Sequence, residues 1–199
     1  MLKILSNLIL TSFLLLTYAC QNTVQEETDQ GMALFSEGAD DWIAVGPDAW
    51  THEDNILVGR IDTGTAYVVT TETYSNFKLS LEFYPDSTIN SGVFVRCENQ
   101  IGSAADCYEF NIWDLNPNQD YRTGALVLQK SPLAQVQTLN KWNTYELEVR
   151  GNQLSAKVNG QLCVQTENTE LMSGYIALQA GIHGTIKFRN VQLTPLPEK

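Results

Sequence analysis

The residues with the clearest capacity for chemistry run from Thr88 to Asp114. The second half of that stretch reads Cys107-Tyr108-Glu109-Phe110-Asn111-Ile112-Trp113-Asp114. Side chains alternate across a strand, so Tyr108, Phe110 and Ile112 share one face while Glu109, Asn111 and Trp113 share the other. The first face is core. The second offers an acid, an amide and an indole, which suits a sugar: the ring stacks on an aromatic face while its hydroxyls need fixed polar partners. The preceding strand, Asn90-Ser91-Gly92-Val93-Phe94-Val95-Arg96-Cys97, sets Gly92, Phe94 and Arg96 on one side at period two. If the two strands pair, Arg96 stands beside Glu109. The plain alternative is an exposed polar face with one surface ion pair.

The elements that must position these groups are strands. Phe77 to Phe83 and Asn143 to Val149 alternate apolar and polar residues cleanly. Leu154 to Val158 meets Asn159-Gly160, a strong two-residue hairpin signal, and Gln161 to Val164 returns. Short β-rich runs also fall at Ala33 to Phe35, Trp42 to Val45, Trp50-Thr51, Asn55 to Val58, Ala66 to Thr70, Gly174 to Gln179 and Gly184 to Leu193. No window carries a helical stripe, and Ser131 to Asn140 is the one place for a short helix. Ten or more short strands punctuated by Gly and Asn argue for an all-β fold, a jelly-roll β-sandwich of two antiparallel sheets. Cys97 closes one strand and Cys107 opens the next, so a hairpin sets them side by side and a disulfide is expected. Cys163 reads as a small buried residue. No Cys-x-x-Cys or His-x-x-x-His spacing suggests zinc.

The ends of the chain read differently. Lys3 followed by the apolar run Ile4 to Leu16, with Ala19 before Cys20, has the form of a secretory signal over residues 1–19. Leu16-Thr17-Tyr18-Ala19-Cys20 resembles a bacterial lipobox, which makes Cys20 the expected lipidation site. Residues 20–32 then form an acidic tether, with Gln25-Glu26-Glu27 similar to a surface-export signal, and 33–197 form a single domain. The expected location is the outer membrane, on its periplasmic or its surface side, with membrane contact only through the lipid. Removing residues 1–19 takes one lysine and no acid, leaving 11 basic and 23 acidic side chains and a net charge of −12. Such a surface disfavours nucleic acid and anionic lipid and suits a neutral carbohydrate substrate.

Taken in order, Leu34-Phe35 with Trp42, Asn90 to Arg96, Tyr108 to Asp114, Thr123-Gly124-Ala125-Leu126, Trp142 to Tyr145, Val158-Asn159-Gly160, Leu178-Gln179 and Phe188-Arg189-Asn190-Val191 resemble the 3-keto-disaccharide hydrolase family. The resemblance runs from about Ala33 to Leu196 and implies a concanavalin A-like, laminarinase-like jelly roll. Two departures stand out. Asn111 replaces a Gln frequent in the family, and Ala180-Gly181-Ile182-His183-Gly184 stands where many members carry Asp-His-Gly. The stretch from Glu109 to Asp114 also has the Glu-x-Asp-x-x-Glu spacing of laminarinase-type glycosidases. Those enzymes need two carboxylates about 5 Å apart, whereas here the middle acid is an amide and the last is one methylene shorter.

The family resemblance implies an enzyme acting on 3-keto-glycosides, with a separate sugar-oxidising enzyme as the partner that would supply them. A carbonyl at C3 acidifies the proton on C2, and loss of that proton expels the aglycone from C1 by β-elimination before water adds. Glu109 or His183 is the expected base, and Arg96 the clamp on the enolate oxygen, with a divalent metal as the alternative electrophile. Asn111 and Gln179 are expected to orient hydroxyls and Trp113 to stack a ring. Asp114 either positions a partner or binds that metal. Two other classes stay open: a non-catalytic sugar-binding lipoprotein using the same face, and a conventional glycosidase.

Overall fold

The computed structural model describes residues 31–100, 103 and 105–198. The signal segment 1–19, the lipidation site Cys20 and the tether as far as residue 30 lie outside the described residues.

The fold is all-β. One sheet has eight strands: β11 (Gln161–Glu167), β10 (Gln153–Val158), β9 (Asn143–Arg150), β6 (Phe77–Pro85), β13 (Gly184–Pro195), β4 (Ile56–Ile61) and β3 (Trp50–Glu53) in that order, with β1 (Met32–Ala33) also paired to β13. The other has five, in the order β2 (Trp42–Val45), β5 (Thr65–Thr70), β12 (Tyr175–Gly181), β7 (Ser91–Cys97) and β8 (Tyr108–Ile112). All of these pairings are antiparallel. This is the two-sheet sandwich of jelly-roll type.

Period-two patterning builds it. Phe77, Leu79, Leu81 and Phe83 of β6 and Tyr145, Leu147 and Val149 of β9 are buried, while Lys78, Ser80, Thr144 and Glu146 between them are exposed. From the other sheet, Ala66 and Val68 of β5, Val93 and Val95 of β7, Tyr108, Phe110 and Ile112 of β8, and Ile176, Leu178 and Ala180 of β12 complete the same core. Full burial of each large apolar side chain contributes about 1.5–3 kcal/mol. Asn159 and Gly160 both take positive φ, 51° and 75°, the conformation a two-residue hairpin between twisted strands requires.

Ser131 to Asn140 is not a helix. Among the described residues the only helical element is a 3₁₀ turn at Gln119–Tyr121, capped by Asn118. The 131–140 segment is held by side-chain ties instead: Arg122 donates to the Val136 carbonyl at 2.6 Å, and Asp114 accepts from Thr138. Its few apolar residues do not repeat at a helical period, so these ties decide its path.

Cys97 and Cys107 form a disulfide, with Cα atoms 4.2 Å apart. Closing a loop of this length stabilises the fold by about 2–3 kcal/mol in the chain-entropy view. The bridge belongs to a second, smaller cluster, with Val69, Phe94 and Ala177, on the face of the five-stranded sheet turned away from the main core. That outer face carries the candidate site.

Candidate functional site

The register of the five-stranded sheet fixes the site. Val45 pairs with Tyr67, Tyr67 with Gln179, and Gly92 with Asn111, while Leu178 opposite Val93 puts Gln179 beside Gly92. One rung on the outer face therefore reads Val45, Tyr67, Gln179, Gly92, Asn111. The adjacent rung reads Ile43, Val69, Ala177, Phe94, Glu109. At the end of β7, Asn90 exchanges backbone hydrogen bonds with Gly181, and Ser91 Oγ donates to the Gln179 carbonyl at 2.6 Å. Asn90 is thereby held next to Gln179.

Glu109 is the chemical centre of this face. It is 7% exposed, and its carboxyl makes no hydrogen bond among the described residues, while its backbone carbonyl accepts from the Val127 N–H. Burial pushes its carboxyl up to about 7, because a desolvated carboxylate is disfavoured and no cation offsets the loss. The carboxyl lies over Gly92: a Cβ built there would stand 3.3 Å from Glu109 Oε1, Glu109 Cγ and Phe94 Cε2. Gly92 is thus a matter of space, not of φ. Gly92→Ala is expected to fold normally but to displace the carboxyl by a few tenths of an ångström. It should lower kcat/KM by about tenfold or more, since a displacement of 1 Å can cost 10²-fold. Unchanged kinetics in a folded Gly92→Ala protein would show that the carboxyl position is not critical.

Around Glu109 the polar atoms are incompletely satisfied. Gln179, 6% exposed, donates Nε2 to Tyr67 Oη at 3.2 Å, while its own Oε1 is buried without a partner among the described residues. Asn90 Oδ1 is likewise buried and unpartnered. Tyr67 is half-buried and packs edge-on against Phe94, with ring centroids 5.5 Å apart. Burial raises its phenol above the ordinary value, against the opposing hydrogen bond from Gln179 and with a smaller push from Glu109. Sequence reading missed Tyr67, Asn90 and the role of Gly92. Tyr67 lies in the apolar run Ala66 to Thr70, where alternation gives no polar signal.

Several expectations change. Arg96 does not stand beside Glu109. Between Phe94 and Cys97 strand β7 contains one residue more than β12 opposite, and Arg96 occupies that bulge at φ 53°. The extra residue resets the alternation. Cys97 then faces outward with Cys107, and Arg96 is fully buried, donating to the carbonyls of Ser75, Gly151 and Leu171. Asp114 is not open to a substrate either. It is 4% exposed, and its oxygens accept from the Thr138 N–H at 2.7 Å and the Thr138 hydroxyl at 2.9 Å. Strand β8 ends at Ile112, so the two-residue alternation does not extend to Asp114.

Asn111 lies on the expected face but under the loop that follows β8. Its Nδ2 donates to the Tyr121 carbonyl, its Oδ1 accepts from the Ile112 N–H, and it is 2% exposed. It therefore positions the loop. Trp113, just past the strand, is half-buried and makes no ring contact or hydrogen bond through its indole among the described residues. His183 is exposed in the turn after β12, with Nδ1 3.2 Å from the Asp62 carbonyl oxygen. Gly181, at the base of that turn, lies two strand residues, about 7 Å, from Gln179, whose rung carries the Glu109 carboxyl over Gly92.

These corrections narrow the chemistry. Among the described residues no second carboxylate joins Glu109, so they do not assemble the pair that ordinary retaining or inverting hydrolysis needs. Among the described residues no group of three or more His, Cys, Asp and Glu side chains is placed to hold a metal ion. One carboxyl beside amides and a phenol is a poor donor set for a divalent cation. It is a good one for a proton transfer on a neutral, hydroxyl-rich ligand.

No curated protein sequence matches the chain. Among solved structures, a Parabacteroides distasonis protein named as a glycosyl hydrolase is 22% identical, with a TM-score of 0.67 over 78% of this chain and 94% of its own. A second protein of that organism, named in the same way, is 18% identical, with a TM-score of 0.65 over 79% and 89%. The carbohydrate-binding module CBM66 of Bacillus subtilis is 16% identical, with a TM-score of 0.62 over 77% and 95%. At such identities these likenesses show the fold alone. The 3-keto-alpha-glucoside-1,2-lyase-like domain, in contrast, matches at the level of sequence over residues 32–194, most of the chain, and the protein belongs to that family.

Proposed function

We propose that the protein cleaves the glycosidic bond of 3-keto-glycosides by β-elimination followed by hydration, with Glu109 as the base. The observation that carries this reading is a single buried carboxyl, poised at about 7 and without a carboxylate partner. A general base works best with a pKa near the operating pH. Glu109 takes the proton from C2, and the C–H electron pair forms the enolate with C3. The enolate collapses to restore the C3 carbonyl, the C1–C2 double bond forms, and the C1–O bond to the aglycone breaks. The departing oxygen takes a proton from water, and the hydroxide left behind takes the proton back from Glu109, which restores the base. A water molecule then adds its oxygen to C1 and a proton to C2, so the net reaction is hydrolysis. Only the oxidised sugar has an acidic C2–H, which is why one carboxyl suffices.

The setting of this activity is also a proposal: a lipid anchor at Cys20 in the outer membrane, and a separate enzyme that oxidises the sugar beforehand. The lipobox-like residues support the first, and the Cys97–Cys107 bridge suits an oxidising compartment.

The test is a panel of 3-keto-glucosides and their unoxidised parents, incubated with purified protein in deuterated water. Oxidised substrates should react, parents should not, and deuterium should appear at C2 of the product. Equal cleavage of plain glucosides would rule out the elimination route. Tight glycan binding without any product would identify a sugar-binding protein instead.

A further inference from the structure

Building on that reading, we propose that Tyr67, held by Gln179, is the catalytic hydrogen-bond donor to the C3 oxygen as it becomes an enolate, so that the site selects an α-hydroxyketone. With Arg96 drawn away into its bulge, no cation among the described residues faces Glu109, and the developing oxyanion needs another donor.

The geometry supplies one. Tyr67 Oη already accepts a hydrogen from Gln179 Nε2 at 3.2 Å, so the phenol keeps its own proton for another partner, and none is present among the described residues. Register places Tyr67 beside Gln179, Gln179 beside Gly92, and the Glu109 carboxyl over Gly92. The Tyr67 phenol and the Glu109 carboxyl, which reaches over Gly92 from the adjacent rung, therefore flank Gln179. Gln179 is 6% exposed, yet among the described residues its Oε1 has no donor, and Asn90 Oδ1 next to it has none. Unpaired buried acceptors are uncommon in folded proteins. The unfilled positions are thus one donor at Tyr67 and two acceptors at Gln179 and Asn90. A ketone oxygen flanked by hydroxyls fills them: the carbonyl accepts from Tyr67, and an adjacent hydroxyl donates to Gln179 Oε1. The edge-on contact with Phe94 fixes the ring, so the donor is preorganised and needs little rearrangement as charge develops. Burial and the proximity of Glu109 keep the phenol protonated well into the alkaline range.

Tyr67→Phe keeps the ring and its packing while removing the O–H. With the full chain and a 3-keto-glucoside, kcat should fall about 10²–10³-fold, the loss seen on removing one oxyanion donor. Deuterium incorporation at C2 should fall in the same proportion. The melting temperature should fall by only a few degrees, the cost of leaving Gln179 Nε2 without its partner, and affinity for the unoxidised parent glycoside by no more than a few-fold, because its C3 hydroxyl develops no charge. A second variant, Gln179→Glu, offers the phenol an acceptor. It should be impaired most at high pH and recover as the introduced carboxyl is protonated, a profile that loss of packing would not produce. Wild-type kcat in both variants, or a Tyr67→Phe defect that appears equally in parent binding and thermal stability, would overturn the inference and leave the proposed function standing. A wild-type protein inactive on every 3-keto-glucoside would remove the proposed function, and this inference with it.

Discussion

Glu109→Gln is expected to abolish turnover of 3-keto-glycosides and, above pH 7, to make the protein more stable. The first effect follows from the loss of the only carboxyl that the described residues place on these rungs of the site face, and general-base removal typically costs about 10²–10⁴-fold in rate. The second follows from linkage. Burial raises the folded-state pKa of Glu109 from 4.5 to about 7. Below pH 4.5 the carboxyl is protonated in both folded and unfolded chains and imposes no penalty. Between 4.5 and about 7 the unfolded chain releases a proton that the folded one retains, so stability falls as pH rises; above 7 the full penalty persists. A difference of this size corresponds to about 3 kcal/mol. Denaturant titrations of wild type and Glu109→Gln at pH 4 and pH 8 should show the variant gaining by roughly that amount at the higher pH only. The same carboxyl governs activity: kcat/KM of the wild type should rise with pH through about 7, where an ordinary glutamate would give a limb near 4.5. A limb near 4.5, or full turnover in Glu109→Gln, would mean that the base is elsewhere. His183→Ala, altering an exposed turn, should keep wild-type kinetics.

Stability and activity thus pull in opposite directions at one residue, as expected where a site desolvates the group that does the chemistry. The remaining polar atoms of the face follow the same pattern. Gln179 Oε1 and Asn90 Oδ1 stay unpaired in a buried setting, at a cost that a ligand hydroxyl removes on binding.

How far the sequence could reveal this depends on the range of each interaction. Alternation within one strand is local, so Tyr108, Phe110 and Ile112 against Glu109 and Asn111 could be assigned to faces without knowing any partner strand. The turn at Asn159-Gly160 was legible for the same reason. Arg96 was not, because a bulge shows only as a mismatch between two paired strands, and Tyr175 lies 78 positions beyond Cys97, its partner across it. The bulge also needs Gly174: a Cβ there would run into the backbone of Arg96 and Cys97. Nothing in the composition around either residue marks that contact. Tyr67 was hidden by its surroundings, since its meaning comes from Gln179, 112 positions away. Asp114 shows the limit of counting: the alternation that places Glu109 ends at Ile112, and Thr138 decides the orientation of the acid beyond it.

Arg96→Met is expected to lower stability by about 3–5 kcal/mol while leaving the chemistry of the folded protein nearly intact. The guanidinium is fully buried and has no carboxylate partner among the described residues. It is held by backbone carbonyls: Ser75, reached by Nε at 3.1 Å and Nη2 at 2.7 Å, and Gly151 and Leu171, reached by Nη1 at 2.8 and 2.9 Å. Ser75 lies in the crossing from β5 to β6, Gly151 in the β9–β10 turn, and Leu171 in the crossing from β11 to β12. One side chain from the five-stranded sheet therefore fastens three loops of the sandwich at one end. Methionine fills much of the volume and removes every donor, leaving the carbonyls of half-buried Gly151 and Leu171 and of exposed Ser75 without their partner, at about 1–3 kcal/mol each where water does not reach them. Partial access of water at the exposed Ser75 keeps the sum near the lower end of that range. For a domain of this size the melting temperature should fall by about 10 °C, at 2–4 °C per kcal/mol. Lysine should rescue little, because a single ammonium cannot reproduce the planar fork that spans three carbonyls. At a temperature where the variant is still folded, kcat on a 3-keto-glucoside should remain within a few-fold of wild type. An Arg96→Met protein that melts like the wild type but has lost its kcat would place the guanidinium back among the substrate-binding groups.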